Sequence, residues 1–196
     1  MSRRIAAPNA KNSSVLLDAA EKLMLEEGYA AVTSRRVAAE AGLKPQLVHY
    51  YFRTMDDLFL EVFRRRAKEG IERQTRALAS ATPLRALWEY SIDSRGTALT
   101  MEFIALANHR KVIQTEIARY AEQFRVQQVE AITTALERAG INLESSPLSP
   151  VVVSVLMTSL SRVLVMEASL GMSAGQAETA EFVENCLRQL EEVHPN

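Results

Sequence analysis

The sequence predicts an all-α chain of about nine helices: a small unit of three short helices, a connecting helix, and a longer helical bundle. Three observations predict it. Apolar residues recur at i, i+3 and i+4 along most of the 196 residues, with no convincing strand alternation. The strongest start and stop signals, Gly28, Gly42, Pro45, Thr82-Pro83, Gly140 and Gly171, fall between those periodic segments. A hydrophobic content of 47% against 24% charged residues supplies a real core and excludes a disordered tail.

Each element has its own warrant. Leu16, Ala19, Ala20, Leu23 and Met24 give a helix over about 13–27, closed by Gly28. Thr33 is a good N-cap for a helix of about two turns that carries Val37, Ala38 and Ala41 and stops at Gly42. Pro45 suits the first position of a third helix over 45–52, with Leu47, Val48 and Tyr51 on one face. Thr54 caps a fourth over 56–79, and Asp57 can return the bond. Longer segments follow at 83–93, 95–108, 110–139, 148–170 and 175–193, broken at Gly140 with Ser145-Ser146-Pro147 and at Gly171 with Gly175.

Composition narrows the class further. One Cys among 196 residues excludes a disulfide scaffold, so Cys186 reads as a small buried residue. The three His and one Cys, at 49, 109, 194 and 186, lack metal-ligand spacing, and no metal or cofactor is expected. Residues 1–12 carry Arg3, Arg4 and Lys11 without an apolar run, so no signal peptide and a cytoplasmic location are expected. The most apolar stretch, 151–166, is interrupted by Ser154, Thr158, Ser159, Ser161 and Arg162; it reads as a buried soluble helix, with no membrane partner. Net charge is −1, yet up to residue 79 fourteen Lys/Arg face ten Asp/Glu, leaving the rest at −5. A basic first part suggests a polyanion at one end only; ordinary fluctuation would give the same count.

Residues 33–52, TSRRVAAEAGLKPQLVHYYF, carry the chemistry. Two short helices joined by Ala41-Gly42-Leu43-Lys44 fit a helix-turn-helix, whose second helix enters a major groove; an αα corner in an ordinary bundle is the alternative. Gln46, His49 and Tyr50 stand off the apolar face, with Lys44 at the helix entrance, and can address base edges or phosphates. Thr33, Ser34, Arg35 and Arg36 open the preceding helix, where free N–H groups and the dipole favour a phosphate.

The run from about residue 13 to 58, centred on AAEKLMLEEGYAAVTSRRVAAEAGLKPQLVHYYFRTMDDLF, resembles the DNA-binding domain of TetR-family transcriptional repressors. The likeness rests on Gly28-Tyr29, Thr33 ahead of Val37-Ala38, the Ala41-Gly42-Leu43 turn, Tyr51-Phe52, and Asp57-Leu58. It covers about a quarter of the chain by motif, while the remainder agrees only in length and helical character. The resemblance implies a DNA-binding domain at 1–55 and a helical effector-binding and dimerisation domain at 56–196, with 56–79 connecting. It implies that Thr33 and Arg36 grip phosphates, that Lys44, Gln46 and His49 face bases, and that Tyr50 and Tyr51 lie at the backbone; Ser34, Arg35 and Pro45 belong to the same surface. Three positions depart from the pattern. Lys44 replaces the usual Ser or Thr cap, Gln46 stands where a small Gly is common, and Met55 replaces a phosphate-gripping Lys that Arg53 would have to stand in for.

A repressor of this kind needs two reading heads about 34–36 Å apart, so a homodimer on double-stranded operator DNA is expected. The last two helices are the candidates for the interface, through Leu156, Val163, Met166, Phe182, Cys186 and Leu190; closing the subunit core is the other reading. Residues 83–139 would form a pocket for an unidentified small, largely hydrophobic effector, lined by Trp88, Phe103, Tyr120, Phe124 and Met157, with Glu102 and His109 to orient it. No nucleophile triad, phosphate loop or paired-carboxylate motif stands out, so an enzyme is not expected. A DNA-binding protein without a ligand switch is the other alternative.

Overall fold

The computed structural model describes residues 6–142 and 149–191, with side chains from residue 11. Among the described residues all regular structure is helical: α1 (Ala6–Glu27), a 3-10 turn (Tyr29–Ala31), α2 (Ser34–Glu40), α3 (Pro45–Tyr51), α4 (Met55–Leu78), α5 (Pro83–Ser91), α6 (Ser94–Ala107), α7 (Lys111–Arg138), α8 (Pro150–Ser169) and α9 (Gln176–Glu191). Most bounds fall within two residues of expectation. α1 starts well before residue 13, because Pro8 is tolerated in a first turn and residues 6–12 simply lack the apolar rhythm that marks a buried face. The expected Ser145-Ser146-Pro147 break and Val193 lie outside the described residues.

The chain packs as two compact units, one of residues 1–68 with 98–119, the other of 69–97 with 120–196. Packing therefore divides the chain differently from the boundary expected at 55/56. The reason is visible in the first core, where Leu58, Phe59 and Val62 of α4 and Phe103, Leu106 and Ile113 of α6 and α7 join Leu16, Met24, Val37 and Val48. α4 and α7 each run unbroken from one unit into the other.

Buried charge reinforces the first unit. The Glu21 side chain is only 8% exposed and lies 3.2 Å from Arg65 and 2.6 Å from Arg66, which satisfies a carboxylate that burial alone would penalise. Arg64 and Glu116 join α4 to α7 at 2.7 Å.

The second core gathers Leu84 and Trp88 of α5, Ile132, Ala135 and Leu136 of α7, and Val183 and Leu187 of α9, with Met157 and Leu160 of α8 packed against it. Glu191 caps α5, accepting the Leu84 N–H at 2.6 Å and the Arg85 N–H at 3.2 Å.

α8 overturns one expectation. It was expected to be a buried helix, but it is only 17% buried across its most apolar stretch, where mean hydropathy is 1.7. Ser154 and Ser161 point inward, while Val151, Val152, Val155, Leu156 and Val163 are exposed. The serines go inside because polar partners await them there: Ser154 donates to Gln128 at 2.7 Å, and Ser161 to the Thr158 carbonyl at 3.1 Å. Among the described residues α8 is the one helix long and apolar enough to cross a membrane.

Candidate nucleic-acid interface

Local chemistry builds the turn between α2 and α3. Thr33 caps α2, its Oγ1 accepting the Arg36 N–H at 3.3 Å. α2 ends in a Schellman arrangement, with Leu43 N donating to Ala38 O at 2.9 Å and Gly42 N to Ala39 O at 3.1 Å. Gly42 sits at φ +64°, in the left-handed region where a side chain is strained. Pro45 then starts α3 in place of a side-chain cap, since Lys44 makes none.

α3 is consequently two-sided. Val48, 1% exposed, and Phe52 anchor it in the first core, with Tyr51 packed against them. Gln46, His49 and Tyr50 are exposed, Tyr50 at 68%. At about 100° per residue they share an arc of about 100° on the opposite side. Lys44 and Pro45 are exposed beside them. Tyr50 meets Tyr51 edge-on at 5.0 Å, which fixes the outer ring against the half-buried one.

The remaining candidates lie around this face. Thr33, Arg35 and Arg53 are exposed and Ser34 half-buried. Among the described residues Arg35, Lys44 and Arg53 hold no ion pair, whereas Arg36 is engaged by Glu27 of α1. A phosphate at Arg36 must therefore displace a carboxylate. Met55 is packed against the core rather than presented to solvent. The head of α4 is closed by a capping box, Thr54 N to Asp57 Oδ2 at 2.9 Å and Asp57 N to Thr54 Oγ1 at 3.1 Å.

Sequence reasoning missed the supports that hold this surface. Glu102 of α6 accepts the Tyr29 N–H at 2.7 Å, satisfying the chain just after α1. Arg110 pairs with Asp56 at the start of α4 and lies over the Phe59 ring at 5.7 Å. Glu116 is shared by Arg119 and Arg64, which in that order hold its carboxyl down at about 2. Apart from Arg119, three residues from Glu116, the partners are distant in sequence, so no local pattern announces them.

The residues expected to line one effector pocket do not all gather. Phe103 is 2% exposed in the first core, edge-on to Phe63 at 5.2 Å; Glu102 is occupied with Tyr29; His109 is exposed beyond the end of α6. Trp88 and Met157 belong to the second core, and Tyr120 and Phe124 are half-buried in the same unit. The second unit also carries an open groove of about 380 Å³ lined by Thr75, Leu78, Gln127, Glu130, Ala131 and Thr134. Of the expected interface residues, Leu156, Val163 and Phe182 are 47%, 44% and 63% exposed, while Met166, Cys186 and Leu190 are half-buried.

An all-helical chain with an exposed two-turn helix held behind a glycine turn defines a helix-turn-helix protein with the fold of TetR-type transcriptional regulators. Residues 16–62 match the family model described as bacterial regulatory proteins, tetR family. No curated protein matches the sequence. Solved structures share the fold over nearly the whole length. A putative transcriptional regulator from Saccharomonospora viridis in complex with choline is 15% identical at a TM-score of 0.74, over 92% of this chain and 96% of that one. A TetR transcription regulator from Haloarcula marismortui ATCC 43049 is 17% identical at 0.70, over 91% and 96%. The fatty acid degradation regulator FadR from Bacillus halodurans is 14% identical at 0.69, over 94% and 97%.

Proposed function

We propose that the chain is a sequence-specific DNA-binding transcriptional regulator, a homodimeric repressor released from its operator by a small, largely hydrophobic effector. One observation carries the reading: α3 turns Gln46, His49 and Tyr50 outward on one arc while Val48 anchors its back. An αα corner inside an ordinary bundle would bury that arc instead. Direct base contacts come from Lys44, Gln46 and His49, and phosphate contacts from Thr33, Arg36 and, in place of the missing lysine, Arg53, with Tyr50 and Tyr51 at the backbone and Ser34, Arg35 and Pro45 beside them.

The dimer reading is supported by the exposed apolar face of α8 with Phe182 of α9, which in a single copy stays in water. The switch reading is supported by the continuity of α4, which carries residues of both compact units. An effector that binds one conformation more tightly shifts α4 and respaces the heads, by no more than its differential affinity. That the Saccharomonospora viridis structure holds choline shows a small molecule in this fold and makes a ligand-independent protein the weaker reading.

Selection of duplexes from random sequence by the purified chain tests the core of the proposal. A symmetric site whose half-sites lie about one helical turn apart is expected; recovery of no preferred sequence overturns it. Trp88 fluorescence against a panel of hydrophobic compounds then reports ligand entry, and a responding compound should release the selected duplex.

A further inference from the structure

α4 carries a single glycine, Gly70, inside a 24-residue helix, where the residue weakens the helix itself. Two neighbours use the space that its absent side chain leaves. A β-carbon at Gly70 would stand 3.0 Å from the Tyr90 hydroxyl oxygen of α5 and 3.0 Å from Phe124 Cζ of α7, closer than the ordinary contact of about 3.5–4.0 Å. Gly70 is therefore a notch that lets two aromatic side chains close on the backbone of α4. Both aromatics are half-buried, and all three residues belong to the second unit.

Neither aromatic is free to give way. Arg73 of α4 lies over the Tyr90 ring at 5.1 Å and is itself held by Asp93 at 2.9 Å. Gln74, which is 0% exposed, donates from Nε2 to the Phe124 carbonyl at 3.1 Å, and its Oε1 accepts Gln128 Nε2 at 3.0 Å. α4 is thus gripped at positions 70, 73 and 74, which share one side of a helix. The sequence permits this grip in a single register. A slide by one turn brings Arg66 and Ala67, or Arg73 and Gln74, to the level of the two rings, and each carries the β-carbon for which there is no room. A tilt about Gly70 keeps the notch filled. The chain passes from one compact unit to the other at 68/69, 97/98 and 119/120, and Gly70, Asp93 and Phe124 each lie within a few residues of one passage.

We propose that Gly70 is a positioning residue for DNA reading: its notch fixes the register of α4 against Tyr90 and Phe124, so that α4 can tilt there but not slide, and the spacing of the reading heads is set at this point. The proposal rests on the reading of the chain as a dimeric regulator and deepens it by naming the place about which α4 moves. Leverage gives the notch its reach. From Gly70 to the first turn of α4 is about 22 Å, so a tilt of about 5° at the notch displaces that turn by about 2 Å. Met55 and Leu58 of that turn share the core that anchors Val48 and Phe52, so α3 is carried along.

The test uses the full chain. Thermal unfolding is followed for the parent, Gly70→Ala, Tyr90→Phe and the double variant, and each is titrated with the duplex the parent selects and with duplexes whose half-sites lie one base pair closer or further apart. In an open helix a Gly→Ala change should raise Tm by about 1–4 °C. Here Gly70→Ala should lower Tm by about 2 °C or more, and by less in the Tyr90→Phe background, where no hydroxyl oxygen crowds the new β-carbon. Gly70→Ala should bind the parent's duplex about fivefold or more weakly, favour an altered spacing and keep the same base preference within each half-site, and the double variant should recover toward the parent. A rise in Tm for Gly70→Ala, or an equal loss in both backgrounds, overturns the notch. A lowered Tm with affinity unchanged, or with equal losses at all three spacings, also overturns the proposal and leaves Gly70 to packing alone. If the parent selects no duplex the regulator reading fails, while the thermal comparison still decides whether the notch is real.

Discussion

Replacing Glu116 with Gln keeps the shape of the side chain that joins α4 to α7 and removes its charge. Its Oε1 accepts Arg64 Nε at 2.7 Å and Arg119 Nη2 at 3.0 Å, and Oε2 accepts Arg119 Nε at 3.2 Å. The side chain is 14% exposed, and Arg119 first, then Arg64, bring its carboxyl from 4.5 to about 2. At about 1.4 kcal/mol per tenfold, that lowering sets a ceiling of about 3 kcal/mol. Arg64 and Arg119 are 45% and 57% exposed, and solvent screening reduces the expectation to about 1–2 kcal/mol. The folded carboxyl is depressed, so its contribution is complete above about 4.5 and is lost as pH falls toward 2. Urea unfolding of the parent and Glu116→Gln should show the variant less stable at neutral pH, with a gap that narrows below about pH 4.5 and nearly closes by about pH 2. A gap that stays constant or widens on acidification would refute the reasoning.

Other predictions follow from the reading face and the apolar one. Gln46→Ala should alter base preference across a duplex panel, whereas an equal loss on all sequences would remove its reader role. Arg35→Ala should weaken binding uniformly and lower the salt slope by about 0.9, and Arg36→Ala should do so less, since Glu27 already competes for that guanidinium. Gly42→Ala meets no atom within 4 Å but holds a side chain at φ +64°, and should cost about 1 kcal/mol by urea unfolding. Phe182→Glu should shift the chain toward monomer in sedimentation and weaken operator binding with little change in helicity by circular dichroism.

The reading head was legible because its signals are local. Thr33, Gly42, Pro45 and the pair Thr54 and Asp57 act within a few residues, and the outward placement of Gln46 and His49 follows from Val48 facing the core. α8 was not legible, because its Ser154 and Ser161 look like solvent-facing interruptions until Gln128, 26 residues away, supplies a partner. Glu102 reads by residue type as a ligand group, whereas the Tyr29 backbone amide, 73 residues distant, occupies it. Phe103 and Trp88 look alike in the sequence because both are aromatic, and the fold assigns them to different cores.

On the proposed dimer, the inverted helix α8, with Ser154 and Ser161 inward and Val151, Val152, Val155 and Val163 outward, makes the quantity of protein in the tube a variable of every DNA titration. If, as proposed, the chain pairs before it reads DNA, it will look weak when diluted far below its own assembly constant and cooperative near it. Binding curves collected at several fixed chain concentrations separate these two equilibria, and the spread between them measures how strongly that greasy surface seeks cover.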